Sequence, residues 1–94
     1  MTSKQRARLR AMANSIQPIL LIGKGGITDN LLKQADDALT ARELIKGSIQ
    51  RGCELSAQGA LHILAERLGA EPVQFIGRKF TLYRRNEEKP GIEL

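Results

Sequence analysis

Much of the chemistry that proteins use is missing from this chain. Its 94 residues include one cysteine, one histidine and no tryptophan. A single thiol forms no disulfide within the chain, and no cysteine-based metal site can be assembled from it. His62 stands without Asp, Cys or a second His in a ligand pattern. We therefore expect no metal and no other cofactor, and the lone Cys53 fits a reducing compartment.

Long apolar runs are also missing. No stretch approaches the ~20 residues that a membrane-spanning helix needs. The N-terminal sequence "MTSKQRARLR" lacks the apolar segment of a secretion signal. Together with the single cysteine, these absences predict a cytoplasmic protein.

Aromatic residues are scarce, with two phenylalanines and one tyrosine in the chain. We expect Phe75 and Phe80 in the core, and Tyr83 in the core or at its edge. Too few aromatic rings remain for a surface on which several bases stack. Recognition of nucleic acid by such a surface is therefore disfavoured.

Positive charge is what the chain has in excess. Lysine and arginine total 15 against 10 acidic residues, which gives a net charge of +5. Such a surplus on a short chain indicates a polyanionic partner, either nucleic acid or an anionic membrane surface. Basic residues cluster at three sites: Lys4, Arg6, Arg8 and Arg10; Lys24; and Arg78, Lys79, Arg84 and Arg85.

Hydrophobic periodicity predicts one α/β domain over residues 1–94, with a core at about 3–85 and a mobile tail at 86–94. The predicted fold is a compact two-layer sandwich of three helices on a mixed four-stranded sheet, in the order α-β-α-β-α-β-β. Its middle strand-helix-strand unit should be a right-handed parallel crossover. Helices are predicted at 3–14, 28–41 and 57–68, with Ser3 and Thr28 as N-caps of the first two and Gly69 ending the third at a C′ position. Strands are predicted at 19–22 (buried on both faces), 43–51, 72–77 and 80–85.

The stretch "PILLIGKGGIT", Pro18 to Thr28, joins a predicted strand to a predicted helix. Its spacing matches neither a Walker A loop nor a complete dinucleotide fingerprint. Two interpretations remain, a tight turn and a phosphate-binding loop. Glycines let the backbone approach a ligand, and the N-terminus of the helix after the Thr28 cap favours an anion. A turn seldom needs three glycines, so the pattern favours phosphate binding with Lys24 as an added positive charge.

Four segments together resemble the CRM domain family in its stand-alone bacterial YhbY form. They are "LRAMA", "ILLIGKGGIT", "ARELIKGSI" and "LGAEPVQFIGRKFTLYRR", and the likeness covers residues 3–85. The resemblance implies a compact RNA-binding domain that contacts RNA through its GxxG-type loop and adjoining basic surface. Bacterial single-domain members are linked to precursors of the large ribosomal subunit, and plant relatives to group II intron splicing. By position, Gly23, Lys24, Gly25 and Gly26 take the loop role.

We therefore predict a non-enzymatic, monomeric RNA-binding protein that acts in assembly of the large ribosomal subunit, with ribosomal RNA precursor as its partner. Two alternatives stay open. The basic amphipathic first helix suits a protein-interaction or anionic-membrane-surface module, and an enzyme acting on a small phosphorylated substrate would need convergent polar groups. Glu43 is expected to pair with a basic residue. The candidate RNA contacts are Gly23, Lys24, Gly25, Gly26, Thr28, Arg6, Arg8, Arg10, Arg78, Lys79, Arg84 and Arg85.

Overall fold

The computed structural model describes residues 1–94 and contains three helices and four strands. Their order along the chain is the predicted one, and the predicted compact α/β fold with a mixed sheet is confirmed. The elements are α1 (Ser3–Ala13), β1 (Leu20–Ile22), α2 (Asp29–Arg42), β2 (Leu44–Ile49), α3 (Ala57–Leu68), β3 (Glu71–Ile76) and β4 (Lys79–Tyr83).

The strand order β1-β2-β4-β3 decides which loops meet. Strands β1 and β2 are parallel and are joined by α2, while β4 pairs antiparallel with both β2 and β3. The carboxyl ends of β1 and β2 therefore lie at the same edge of the sheet as the β3–β4 turn. We call this end of the strands the loop end. The opposite end, where β2 begins and β4 ends, is called the tail end.

The main core lies between one face of the sheet and helices α2 and α3. The remaining helix, α1, packs on the other face, so the helices do not form the single layer that was predicted. Ile45 and Ile49 face this core, and Gly47 between them is buried, as the alternation of β2 predicts. A Cβ at Gly47 would collide with the ring of Phe80, its cross-strand partner. The glycine therefore leaves room for the Phe80 ring, whose burial contributes about 1.5–3 kcal/mol.

Helix α1 packs against the opposite face of the sheet. Leu9, Leu44, Val73 and Tyr83 form a separate small cluster beneath it. Because this cluster lies near the start of β2 and the end of β4, α1 covers the tail-end half of that face. The half towards the loop end is uncovered, as the 60% exposure of Leu21 indicates.

The sequence wrongly predicted burial at two edge positions. Strand β1 was expected to be buried on both faces, but only Leu20 and Ile22 reach the core while Leu21 does not. Phe75 was expected inside and is 45% exposed, since β3 forms the other edge of the sheet. Phe80 and Tyr83 are buried as predicted.

Local capping signals place the helix ends. Helix α3 ends at Gly69, which has the predicted left-handed conformation with φ of 62°. Helix α1 is capped by Thr2 rather than by Ser3. The backbone N–H of Gln5 donates to Thr2 Oγ1 at 3.1 Å, and the backbone N–H of Thr2 donates to Gln5 Oε1 at 3.0 Å. This reciprocal pair is a capping box, which fixes the first turn of α1.

Candidate nucleic-acid interface

Two loops lie side by side at the loop end of the sheet. The first is the glycine loop, residues 23–26, which follows β1, and the second spans residues 50–53 after β2. Ile22 pairs with Ile49 in the parallel ladder, and the Gln50 N–H extends it by donating to the Ile22 carbonyl at 2.8 Å. The chain thus leaves both strands at the same place.

The two loops fit against each other at two glycines. A Cβ at Gly23 would lie 2.9 Å from Gln50 Oε1, and a Cβ at Gly52 would lie 3.1 Å from Lys24 Cε. The aliphatic stem of Lys24 therefore crosses the backbone of Gly52. Gly52 also has φ of +89°, which side chains other than glycine rarely adopt. Backbone conformation and contact with Lys24 together favour glycine at position 52.

Within the glycine loop, the turn explains two glycines but not the third. The Gly26 N–H donates to the Gly23 carbonyl at 3.0 Å, and Gly26 has φ of +73°. Position 23 is crowded by the second loop. Gly25 has no positive φ, and a Cβ there would have its nearest neighbour, Thr28 Cγ2, at an ordinary 3.7 Å. The fold therefore does not require glycine at position 25.

Several backbone N–H groups in and just after this turn have no hydrogen-bond acceptor within the chain. Thr28 caps α2 as predicted, accepting a hydrogen bond from the Leu31 N–H at 3.1 Å. The amides of Gly25, Ile27 and Asn30 donate to no acceptor within the chain. Free amides at a helix N-terminus carry partial positive charge and favour an anion. The carboxylate of Asp29, in the first turn of α2, acts against such an anion.

The β3–β4 turn brings further cations to the loop end. The carbonyl of Arg78 accepts a hydrogen bond from the Ile49 N–H at 2.8 Å, and Lys79 pairs with Ser48. Arg78 and Lys79 thus lie near the carboxyl end of β2, as do Lys24 and Arg51. All of them are exposed, and none takes part in either ion pair of the structure. We call Lys24, Arg51, Arg78 and Lys79 the loop-end cations.

The α1 arginines form a separate basic surface on the other side of the sheet. Arg6 Nη2 lies 3.8 Å from Glu71 Oε2, with both side chains well exposed, so this pair contributes little stability. Arg8 and Arg10 are exposed and unpaired. The structure therefore does not bring the predicted α1 group together with the loop-end cations.

Arg84 is engaged in hydrogen bonds within the fold and is not free to make the RNA contact that was predicted for it. Its Nη1 donates to Asp36 Oδ1 at 2.7 Å and to the Leu68 carbonyl at 3.0 Å. Its Nη2 donates to the Asp36 carbonyl and to Thr40 Oγ1, both at 3.0 Å. The guanidinium thus ties β4 to α2 and to the end of α3. The neighbouring Arg85 lies at the tail end, away from the glycine loop, and is exposed.

Glu43 also differs from its prediction, because it pairs with no basic residue. It is 4% exposed, and its φ of 65° is unusual for a residue with a side chain. The carboxylate accepts hydrogen bonds from the backbone N–H groups of Asn86, Gly91 and Ile92. Residues 86–92, predicted as a mobile tail, are thus tied to the sheet. Burial raises the pKa of the Tyr83 phenol, and the nearby Glu43 charge raises it further.

A family model supplies the assignment that this geometry alone does not give. The model of the CRS1/YhbY (CRM) domain matches residues 1–84. The chain belongs to the CRS1/YhbY (CRM) domain family. This family is a class of RNA-binding domains and not of enzymes.

Individual CRM relatives match all or nearly all of the chain. It is 40% identical over 94 residues to "Probable RNA-binding protein YqeI" of Bacillus subtilis, which covers all of this chain and 98% of the relative. It is 30% identical to an "RNA-binding protein" of Haemophilus influenzae, covering 94% of this chain and 89% of the relative. The solution structure of the hypothetical protein SAV1595 from Staphylococcus aureus superposes with a TM-score of 0.75 at 42% identity, over 100% and 98% of the two chains.

Sequence reasoning missed the second loop of this CRM domain. Arg51 and Gly52 were considered only as the end of a strand, yet they belong to a loop that contacts the glycine loop through Gln50 and Gly52. The signal was present, because a strand-helix-strand crossover makes the two strands parallel and places their carboxyl ends together. The residues after β2 therefore belong beside those after β1.

Proposed function

We propose that this CRM domain binds RNA through its loop end, with phosphate as the principal group recognised. One observation carries the proposal: unpaired cations share the loop end with the glycine loop, where the amides of Gly25, Ile27 and Asn30 have no acceptor within the chain. Cations and free amides are the groups that protein surfaces use to hold phosphate oxygens. The glycine loop, Arg51, Arg78 and Lys79 would meet successive phosphates of one RNA backbone.

The exposure of this site favours a macromolecular ligand over a small phosphorylated substrate. Lys24 and Gly25 are open to solvent, whereas small-molecule sites are concave and largely enclosed. A groove of about 550 Å³ does exist between α1 and the start of β2, but none of the glycine-loop residues lines it. No group of His, Cys, Asp and Glu side chains is arranged to hold a metal ion.

The membrane-surface alternative loses its apolar face in the structure. Leu9 and Ala13 of α1 are fully buried against the sheet, and Met12 and Ile16 pack on the same cluster. A helix that lies on lipid must present such residues to the membrane. None of the three helices combines the length and the apolar character needed to cross a bilayer. The basic side of α1 remains available for an anion.

We further propose that the bound RNA is ribosomal RNA precursor, and that the protein is a monomeric cytoplasmic assembly factor of the large subunit. This step rests on the likeness to stand-alone bacterial YhbY proteins, together with relatives named as RNA-binding proteins. Sedimentation of a cell extract tests it. The protein should travel with particles smaller than the mature large subunit, and nuclease treatment should release it. Its presence only at the top of the gradient would contradict the assembly role.

RNA binding itself is tested by a salt titration with two charge-matched variants. Lys24→Ala/Arg78→Ala removes two loop-end cations, and Arg67→Ala/Lys89→Ala removes two exposed, unpaired cations elsewhere. The logarithm of the affinity should fall steeply with the logarithm of salt concentration, and the slope should shrink by about 0.7–0.9 for each phosphate that the variant no longer neutralises. We expect that reduction only in the first variant. Equal slopes for the two variants would mean that net charge, and not the loop end, governs binding.

A further inference from the structure

The uncovered half of the α1-side sheet face forms a continuous surface. The pairing register places Leu21, Ser48, Lys79 and Ile76 in one row across all four strands. The adjacent row follows from Ile19, whose N–H donates to the Lys46 carbonyl, and from the pairing of Thr81 with Lys46 and Gln74. We call seven of these residues the open half-face: Ile19, Leu21, Lys46, Ser48, Gln74, Ile76 and Lys79. The eighth, Thr81, is buried.

The open half-face carries the most exposed large apolar side chains of the chain. Ile76 is 66% exposed and Leu21 is 60% exposed, while Ile19 in the next row is 41% exposed. Leu21 and Ile76 stand at the two edges of one row with Lys79 between them. Apolar side chains that are exposed on one sheet face beside a proposed interface are candidates for contact with a ligand.

The polar members of the open half-face are basic or neutral. No carboxylate is among the seven residues, and neither Lys46 nor Lys79 takes part in an ion pair. Asn14, at the end of α1, borders a shallow depression of about 120 Å³ with Lys46, Gln74, Ile76, Lys79 and Thr81. Amide side chains supply both donors and acceptors, so this depression offers hydrogen bonds of either sense beside two positive charges.

The open half-face is continuous with the loop end. Leu21 lies two residues before Gly23, and Ile76 lies two residues before Arg78. Lys79 belongs to both surfaces, since it begins β4 beside the turn and stands between Leu21 and Ile76 in the row. An RNA strand whose phosphates contact the loop-end cations would therefore pass onto this face without leaving the protein.

We propose that the open half-face binds unpaired nucleotides of the RNA that the loop end holds, an inference that rests on the proposed function. Leu21 and Ile76 contact base or ribose faces, Lys46 and Lys79 contact phosphates, and the Asn14 and Gln74 amides reach base edges. A base presents its apolar face only when it has left the helical stack, whereas a duplex presents sugars and phosphates. Exposed aliphatic groups beside lysines therefore match a single-stranded segment.

The test compares two RNA probes, a hairpin with an unpaired flank and the same hairpin without it. Leu21→Thr/Ile76→Thr keeps residues suited to strands while removing the aliphatic contacts. We expect about a five- to tenfold loss of affinity for the flanked hairpin and no loss for the blunt one. The salt slope should stay unchanged, because no cation is removed. Phe75→Thr is the control, an exposed apolar residue on the same edge strand that faces the other side.

A crosslinking measurement keeps the inference testable if the double variant unfolds. A photoreactive phenylalanine derivative at Leu21 should attach to the unpaired flank, and the same derivative at Phe75 should not. Unchanged affinity of the folded double variant for the flanked hairpin would overturn the inference, as would an equal loss on both probes. Either result can occur while Lys24→Ala/Arg78→Ala still weakens binding, so the proposed function is judged separately.

Discussion

The loop end and the tail end of the sheet both carry charged side chains, but they differ in where those charges find partners. At the tail end, Arg84 donates to Asp36, Thr40 and two carbonyls, and the Glu43 carboxylate accepts three backbone N–H groups. At the loop end, Lys24 and Arg78 have no acidic partner. The tail end thus satisfies these charges within the chain, whereas the loop end leaves its cations to a ligand.

This contrast separates charges that hold the fold from charges that are available to a ligand. A half-buried guanidinium with several acceptors stabilises the folded state, since unfolding exchanges an ordered network for water. Exposed cations without partners add little stability, but they release counterions when they meet phosphates. Arg84 and Arg85 illustrate the difference within one dipeptide, because the first is engaged and the second is exposed.

The largest effect on stability is expected from Arg84→Met. Loss of the guanidinium removes the hydrogen bonds that tie β4 to α2 and α3, and the free energy of unfolding should fall by about 2–3 kcal/mol. RNA affinity of the folded protein should be unchanged. Denaturant unfolding and RNA titration measure the two quantities, with Arg85→Met as the control that changes stability by less than about 0.5 kcal/mol. An Arg84→Met protein that is stable but binds RNA poorly would assign Arg84 to the interface.

The largest effect on RNA affinity is expected from Gly25→Asp. Position 25 has no positive φ, and a Cβ there would make only an ordinary contact with Thr28, so the fold should tolerate a side chain. The carboxylate would lie where the loop meets phosphate, and affinity should fall tenfold or more, about 1.4 kcal/mol or above. Gly25→Asn has nearly the same shape without the charge, and the gap between the two variants isolates repulsion from obstruction. If folded Gly25→Asp, verified by circular dichroism, binds like wild type, the glycine loop is only a turn.

A smaller loss should follow from Arg6→Ala/Arg10→Ala on α1. These arginines lie on the other side of the sheet from the glycine loop, so they add general attraction and no contact in the main site. We expect about a two- to threefold loss of affinity, with the free energy of unfolding unchanged within about 0.5 kcal/mol because the Arg6–Glu71 pair is exposed. A drop in melting temperature at constant affinity would make the two arginines structural.

Features set by near neighbours in the sequence could be predicted. The order of elements followed from hydrophobic periodicity, the Thr28 cap from a hydroxyl before an apolar run, and the Gly69 end from a glycine after the last turn. Each of these depends on residues within a few positions. The glycine loop was found for the same reason, because its residues are consecutive.

Features set by distant residues could not be predicted. Arg84 reaches Asp36 across 48 residues, and Glu43 reaches the Ile92 amide across 49. Nothing in a basic dipeptide near the C-terminus shows that its first member is enclosed by two helices. The exposure of Leu21 likewise depends on the place of β1 at the sheet edge and on how far α1 extends. Such contacts are decided by packing.

The smallest expected effect in this comparison of the two ends concerns a negative charge at the loop end. Asp29 stands in the first turn of α2, directly beside the free amides of Asn30 and Ile27. Its carboxylate stabilises the helix dipole and also repels phosphate, so the fold and the ligand make opposite demands on it. Asp29→Asn should therefore raise RNA affinity about two- to threefold while lowering the free energy of unfolding by about 0.3–1 kcal/mol.

The control is Asp37→Asn, at an exposed position further along α2. It should change RNA affinity far less, because Asp37 lies beyond the first turn. RNA titration at low salt, where screening is weakest, gives the clearest reading. Weaker binding by Asp29→Asn would mean that the carboxylate orders the loop for its ligand. The loop end would then resemble the tail end, where charged groups have partners within the chain.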